Sequence, residues 1–100
     1  MLLPYMAANI QQRREELRSR ISINMKVLRG KLGISQEALA ARAGIHRTHI
    51  SQLERGAANL GLDTLIVVAA ALGVEEVDLL AVPTEQPLPV HRGPQKRSSS

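Results

Sequence analysis

Three features of the 100-residue sequence predict an all-α fold. It holds 14 Leu and 12 Ala, both strong helix formers. Apolar residues recur at steps of three and four from Leu17 onward, the spacing of one helix face. Glycines close these periodic runs, where a helix C-cap favours them. The length fits one small domain. Apolar residues make up 44%, yet Tyr5 is the one aromatic and there is no Phe or Trp. The core must therefore be aliphatic, with alanines at close helix contacts. A core this small stabilises only marginally, which favours an oligomer. The absence of cysteine excludes disulfide staples, a zinc ribbon and thiol chemistry.

Residues 1–8, with Pro4 and little pattern, read as a loose arm. From Ile10 the text becomes charged and helical. Leu17, Ile21, Met25, Leu28 and Leu32 share one face, and Gly33 ends the run. Ser19, Ser22 and Asn24 are weak helix formers, which leaves open whether residues 10–32 form one helix or two. Ser35 is a good N-cap for a second, short helix, Gln36 to Ala43, with Leu39, Ala40 and Ala43 inward and Glu37 suited to its first turn. Gly44 and the apolar Ile45 separate it from a third helix, His46 to Arg55, closed by Gly56. A fourth spans Leu62 to Leu72 before Gly73, and a short fifth spans Glu75 to Leu80. Pro83, Pro87, Pro89 and Pro94 with the closing QKRSSS mark 83–100 as a flexible, disordered tail. The expected organisation is an N-terminal arm or helical extension (1–20), a helical domain (21–82) and that tail (83–100).

Charge is segregated along the chain. Residues 1–56 carry ten Lys/Arg and four Asp/Glu, a balance of +6. Residues 57–86 carry five acids and no Lys or Arg, and residues 87–100 add three cations. A basic half beside an acidic one suggests one face for a polyanion and another for a different contact.

The third helix favours a duplex, with a plain solvated face as the alternative. Two short helices joined by Gly44-Ile45 have the length of a helix-turn-helix. At 100° per residue, Arg47, Thr48, Ser51, Gln52 and Arg55 fall within an arc of about 140°, while Ile50 and Leu53 point away. That arc carries guanidinium, hydroxyl and amide groups and no carboxylate. Arg reads guanine, Gln reads adenine, and the hydroxyls and the Thr methyl make smaller contacts in the major groove.

The run SQEALAARAGIHRTHISQLERG, with LRGKLGI before it and LDTLIVVAAALGV after it, resembles the Cro-like, lambda-repressor-like (XRE-type) helix-turn-helix family over about residues 21–81. The pattern RTHIS..ERG..N is similar to that of restriction–modification controller proteins. The resemblance implies a compact five-helix lambda-repressor-like DNA-binding domain with the third helix in the major groove. It implies that Gln36 meets a phosphate or base edge and fixes register. It places Arg47, Thr48, Ser51 and Gln52 toward bases, and Arg55 and Asn59 toward the backbone. His49 is a further candidate phosphate contact near neutral pH. It also implies a structural ion pair between Arg29 and Glu54. His46 departs from the family pattern, standing where a Ser, Thr or Asp cap is usual, so the start of the third helix is expected to fray or shift. Ala57 and Ala58 remove polar positions from the following loop, which predicts a shallower salt dependence. Leu60-Gly61 replaces a frequent Pro-Ser at the entry to the fourth helix.

Within the fourth helix, the stretch Leu65 to Leu72 is apolar all round, so it needs cover on two sides. One side would meet Leu28, Leu39 and Leu53. A second copy is the simplest cover for the other, through Ile66, Val67, Ala70, Val77 and Leu80, and a two-fold pair asks for a palindromic operator. Leu65 to Leu72 is also too short to span a bilayer, and Leu2, Leu3 and Met6 do not make a secretory leader, so a soluble cytoplasmic protein without membrane contact is expected. His46 and His49 at i, i+3 lack the further ligands a metal needs. No phosphate loop, nucleophile elbow or acid–base pair appears, so neither an enzyme, a cofactor nor a small-molecule ligand is expected. The expected function is a dimeric, sequence-specific regulator binding double-stranded DNA. The alternatives are an antitoxin-like repressor that also holds a toxin, and a helical interaction module without operator binding.

Overall fold

The computed structural model describes the backbone over residues 4–88 and the side chains over 9–88. Five helices follow one another: α1 (Pro4–Leu32), α2 (Gln36–Ala43), α3 (Arg47–Glu54), α4 (Leu62–Leu72) and α5 (Glu76–Leu80). Among the described residues there is no strand.

The long α1 replaces the expected loose arm: its backbone is helical from Pro4, so residues 4–8 are not irregular. Proline suits a first helical turn, where its missing N–H had no intrahelical partner to lose. Residues 10–32 are one continuous helix. Residues 9–16 are exposed all round. This stretch is supported by its own side chains: Gln11 donates to Glu15 at 3.1 Å, Arg13 to Glu16 at 3.3 Å, and Arg20 to Glu16 one turn back. Arg20 holds the Glu16 carboxyl below the usual carboxylate range, by its hydrogen bond first and its charge second.

Ser22 and Asn24, weak helix formers, are what fasten α1 to the rest. Ser22 is buried and its hydroxyl donates to the carbonyl of Glu54. Asn24 donates to the carbonyls of Leu79 and Ala81, each at 2.9 Å, and Arg20 donates to that of Leu80 at 3.2 Å. The C-terminal carbonyls of α5, orphaned by the helix end, are thus taken up by α1.

The core is aliphatic, as the composition requires. Met25, Leu39, Ile50, Val68 and Leu79 are fully enclosed, with Ile21, Leu53, Leu65 and Leu72 around them. Burying each such side chain contributes roughly 1.5–3 kcal/mol. Ala40 and Ala69 are buried where helices approach closely. Leu32 departs from the face it shares with Ile21 and Met25: it is 46% exposed at the end of α1, and Ile34 packs on the core just beyond it. Ala58 and Leu60 also pack on the core, which accounts for apolar residues in the loop after α3.

The segment following α5 is not free at its start. Residues 81–88 are non-helical, Lys31 pairs with Glu85, and Pro83 and Pro87 are half-buried. Residues 83–88 thus lie against α1 through this ion pair and the two prolines. The remainder of that expected tail lies outside the described residues.

Candidate nucleic-acid interface

Ser35 fixes the start of α2: its backbone is extended and its hydroxyl accepts from the N–H of Ala38 at 3.0 Å. Gly44 ends the helix in the left-handed region at φ 72°, and the N–H groups of both Gly44 and Ile45 turn back to the carbonyl of Ala40. Ile45 then packs on the core and sets the direction in which α3 leaves. The third helix begins one residue later and ends one earlier than His46 to Arg55. His46 is its N-cap with no side-chain cap bond, and Arg55 is its C-cap. Imidazole makes a poor cap, so the first turn of α3 lacks the support Ser35 gives to α2.

Buried Ile50, Leu53 and Glu54 turn one side of α3 inward. Arg47 and Thr48 on the other side are exposed, Ser51 and Gln52 are half-buried, and Arg55 is exposed. Arg55 Nη1 donates to Ser51 Oγ at 2.8 Å, laying its guanidinium back along the stripe. His49 is half-buried at the edge and His46 is exposed. No group of three or more His, Cys, Asp or Glu that could hold a metal exists among the described residues.

One buried carboxylate ties α3 to its supports. Glu54, only 2% exposed, accepts from Arg29 Nε at 2.8 Å and Arg29 Nη2 at 2.9 Å, a bidentate pair. Arg29 Nη1 donates to the carbonyl of Ile34 at 3.0 Å in the α1–α2 turn. Gln36 Nε2 donates to Glu54 Oε1 at 3.1 Å. The Arg29 guanidinium is pushed up from its already high value by the hydrogen bonds to Glu54, and burial opposes this. Gln36 is thus held within the protein by its amide nitrogen, at the first turn of α2, and its amide oxygen has no partner among the described residues.

Asn59 is exposed, and its side-chain oxygen accepts from Arg18 of α1. Arg47, Thr48, Ser51 and Gln52 share one helix face, with Arg55 behind them. Gln36 and Asn59 sit on separate supports, each hydrogen-bonded inside the chain. Two basic residues of α1 escaped the sequence reading: Arg18, joined to Asn59, and Lys26, beside Gln36 on the rim of a cleft. Their charge was the single clue, and it does not separate them from the solvated Arg13 and Arg14.

The second surface is the outer side of α4. Leu62 is 72% exposed, Ile66 42%, and Ala70 is also exposed, a stripe at steps of four, with Val77 of α5 at 65%. Val67 and Leu80, grouped with this face from sequence, are half-buried and pack on the chain's own core. Leu62 belongs to the stripe but was not singled out, because it reads as the opening residue of the helix. No helix among the described residues is long and apolar enough to cross a membrane.

Comparison with known proteins accords with this arrangement. A family model described as Helix-turn-helix matches residues 25–79. A hypothetical transcription factor of Neisseria meningitidis serogroup B is 40% identical over 72 residues, which cover 72% of this chain and 68% of that protein. Control protein C.BamHI of Bacillus amyloliquefaciens is 48% identical over 50 residues, 50% of this chain and 62% of the relative. Among solved structures, the Neisseria transcription factor superposes with a TM-score of 0.67 at 40% identity, covering 70% of this chain and 79% of that one. The restriction–modification controller protein C.AhdI of Aeromonas hydrophila gives 0.60 at 32% identity, covering 62% and 94%. The chain belongs to the helix-turn-helix family of DNA-binding transcription regulators, of the Cro-like XRE type.

Proposed function

We propose that the protein is a homodimeric, non-enzymatic regulator in the cytoplasm that reads a palindromic operator, with α3 in the major groove of each half-site. The observation that carries this reading is the division of α3 into a buried aliphatic side and an open side of Arg47, Thr48, Ser51 and Gln52. Such a side offers donors and acceptors matched to base edges, without a carboxylate to repel phosphates. Arg55 and Asn59 take backbone contacts, His49 a phosphate at the groove edge, and Gln36 anchors register from the start of α2. Three of these side chains already hold internal bonds, so Gln36 offers its amide oxygen, and Arg55 and Asn59 exchange or share their partners on binding.

Dimerisation through α4 and α5 is supported by the uncovered Leu62, Ile66, Ala70 and Val77. Val67 and Leu80 back this stripe from the core side. A two-fold axis there sets the two α3 helices about one DNA turn apart, ~34 Å. The acidic residues Asp63, Glu75, Glu76 and Asp78 belong to the same elements and would lie away from phosphate. Similarity to restriction–modification control proteins supports a small stand-alone regulator acting near its own promoter.

Selection of bound duplexes from a random pool, with measured stoichiometry, tests this. A dyad-symmetric consensus bound by two chains is the expected result. Binding without sequence preference would instead favour a helical interaction module that keeps the fold and lacks an operator.

A further inference from the structure

We propose that Arg18, with Arg14 one turn before it, is a phosphate contact, so that the projecting part of α1 belongs to the DNA interface. The inference rests on the operator-binding reading above and adds a contact outside the helix-turn-helix.

The junction of α1 with the loop after α3 carries it. Gly56, at φ 69°, turns the chain back against α1, and a Cβ built on it would stand 4.0 Å from the carbonyl oxygen of Arg18. Ala58 and Leu60 pack on the core, which leaves Asn59 exposed as the one polar side chain of residues 56–60. Arg18 Nη2 donates to the side-chain oxygen of Asn59. That bond sets which way the amide turns: its acceptor is occupied, and its NH2 end is what the loop presents. The guanidinium has five N–H groups, so others remain for a second partner. Two donor groups, one of them cationic, thus stand together at the position read as facing the DNA backbone, a polarity that suits phosphate oxygens.

Charge along α1 favours the same ligand. Glu16 is taken by Arg13 and Arg20. Among the described residues neither Arg14 nor Arg18 has an acidic partner, and none of the nine Asp and Glu lies outside them. Arg14 is exposed, and its side chain donates only to Gln11, at 3.4 Å. Arg14 and Arg18 differ by about 40° around the helix and about 6 Å along it, so they form a row leading outward from Asn59. Glu15 stands about 60° to the other side of Arg18 and accepts from Gln11 at 3.1 Å. Residues 56–60 bring no charge of their own, so α1 supplies the cation at this edge.

Each phosphate neutralised contributes about −0.9 to the slope of log K against log salt. The test titrates the selected operator with the full chain and its R18Q, R14Q and R18K variants over a range of KCl concentrations. Thermal unfolding of the free proteins checks that the fold is intact, and R14Q, at an exposed position, gives a readout that does not depend on the bond to Asn59. The expected result is a slope shallower by about 1 per bound chain in R18Q and in R14Q, with R18K close to wild type. The selected consensus should stay the same, because a phosphate contact carries no sequence information. Unchanged slopes in R18Q and R14Q would overturn the contact while leaving the operator reading standing. That holds even if R18Q binds more weakly, since a strut that only positions the loop would weaken binding without changing the slope. A wild-type chain that selects no duplex at all would remove the operator reading and this contact together.

Discussion

Arg29 of α1 grips the buried carboxylate of Glu54, the last residue of α3, through two hydrogen bonds of 2.8 and 2.9 Å. The same pair reaches the α1–α2 turn through Ile34 and the start of α2 through Gln36. Four pieces of backbone that must hold α3 at a fixed angle thus meet at one ion pair. Such a pair adds little net stability against an apolar replacement, yet losing one partner leaves a buried charge.

That asymmetry gives the first expectation. Arg29→Met should destabilise the fold by about 3–5 kcal/mol, because Gln36 alone cannot neutralise Glu54. The double variant Arg29→Met/Glu54→Leu should recover most of the loss. Urea unfolding of the two single variants and the double variant measures the coupling.

On the open side of α3 the prediction reverses: stability is spared and binding is lost. Arg47→Ala and Gln52→Ala should each weaken operator binding by about 1–3 kcal/mol and relax preference at one symmetric pair of positions. Their unfolding midpoints should stay near wild type, since neither side chain is in the core. Anisotropy titrations on operator and scrambled duplexes separate the two effects.

His46 leaves the first turn of α3 without a side-chain cap. His46→Ser should raise stability by about 1 kcal/mol by accepting an N–H from Thr48 or His49. In a chain of this size that is a rise in Tm of about 4–8 °C, readable by thermal circular dichroism.

The α4 stripe predicts a concentration-dependent assembly. Ile66→Asp should give a folded monomer in sedimentation equilibrium, as Ile66 lies outside the core. Binding should then become weak and first order in protein on a half-site.

Glu16 sets a pH dependence on the exposed part of α1. Its carboxyl is lowered in the folded chain, so its contribution is complete above the ordinary carboxylate value and fades as pH falls through the lowered one. Residues 9–16 should lose helicity in that acid range before the core does, and Glu16→Gln should lose it at neutral pH. Amide exchange or backbone shifts along α1 report this.

Much of the fold was legible because caps and apolar faces are local signals. Ser35, Gly44 and Gly73 mark the helix ends closely, and Ile50 and Leu53 give the buried side of α3. The length of α1 was not legible, since its first part has no apolar face and rests on pairs such as Gln11 with Glu15. Ser22 and Asn24 weaken a helix locally, and their contacts with Glu54 and Leu79 come from residues more than thirty positions away. The open side of α3 could be read from a helical wheel. The ties of Gln36 to Glu54 and Asn59 to Arg18 could not, because they depend on how helices pack. Nor could the pairing of Lys31 with Glu85, which joins residues 54 positions apart.

The most direct measurement is a map of backbone amide shifts as the selected duplex is added to the labelled full chain. The account predicts the largest changes at Arg47, Thr48, Ser51 and Gln52, with smaller ones at Gln36 and Asn59 and little at the core positions of α4. Changes concentrated on Leu62, Ile66 and Val77 with α3 unmoved would contradict it.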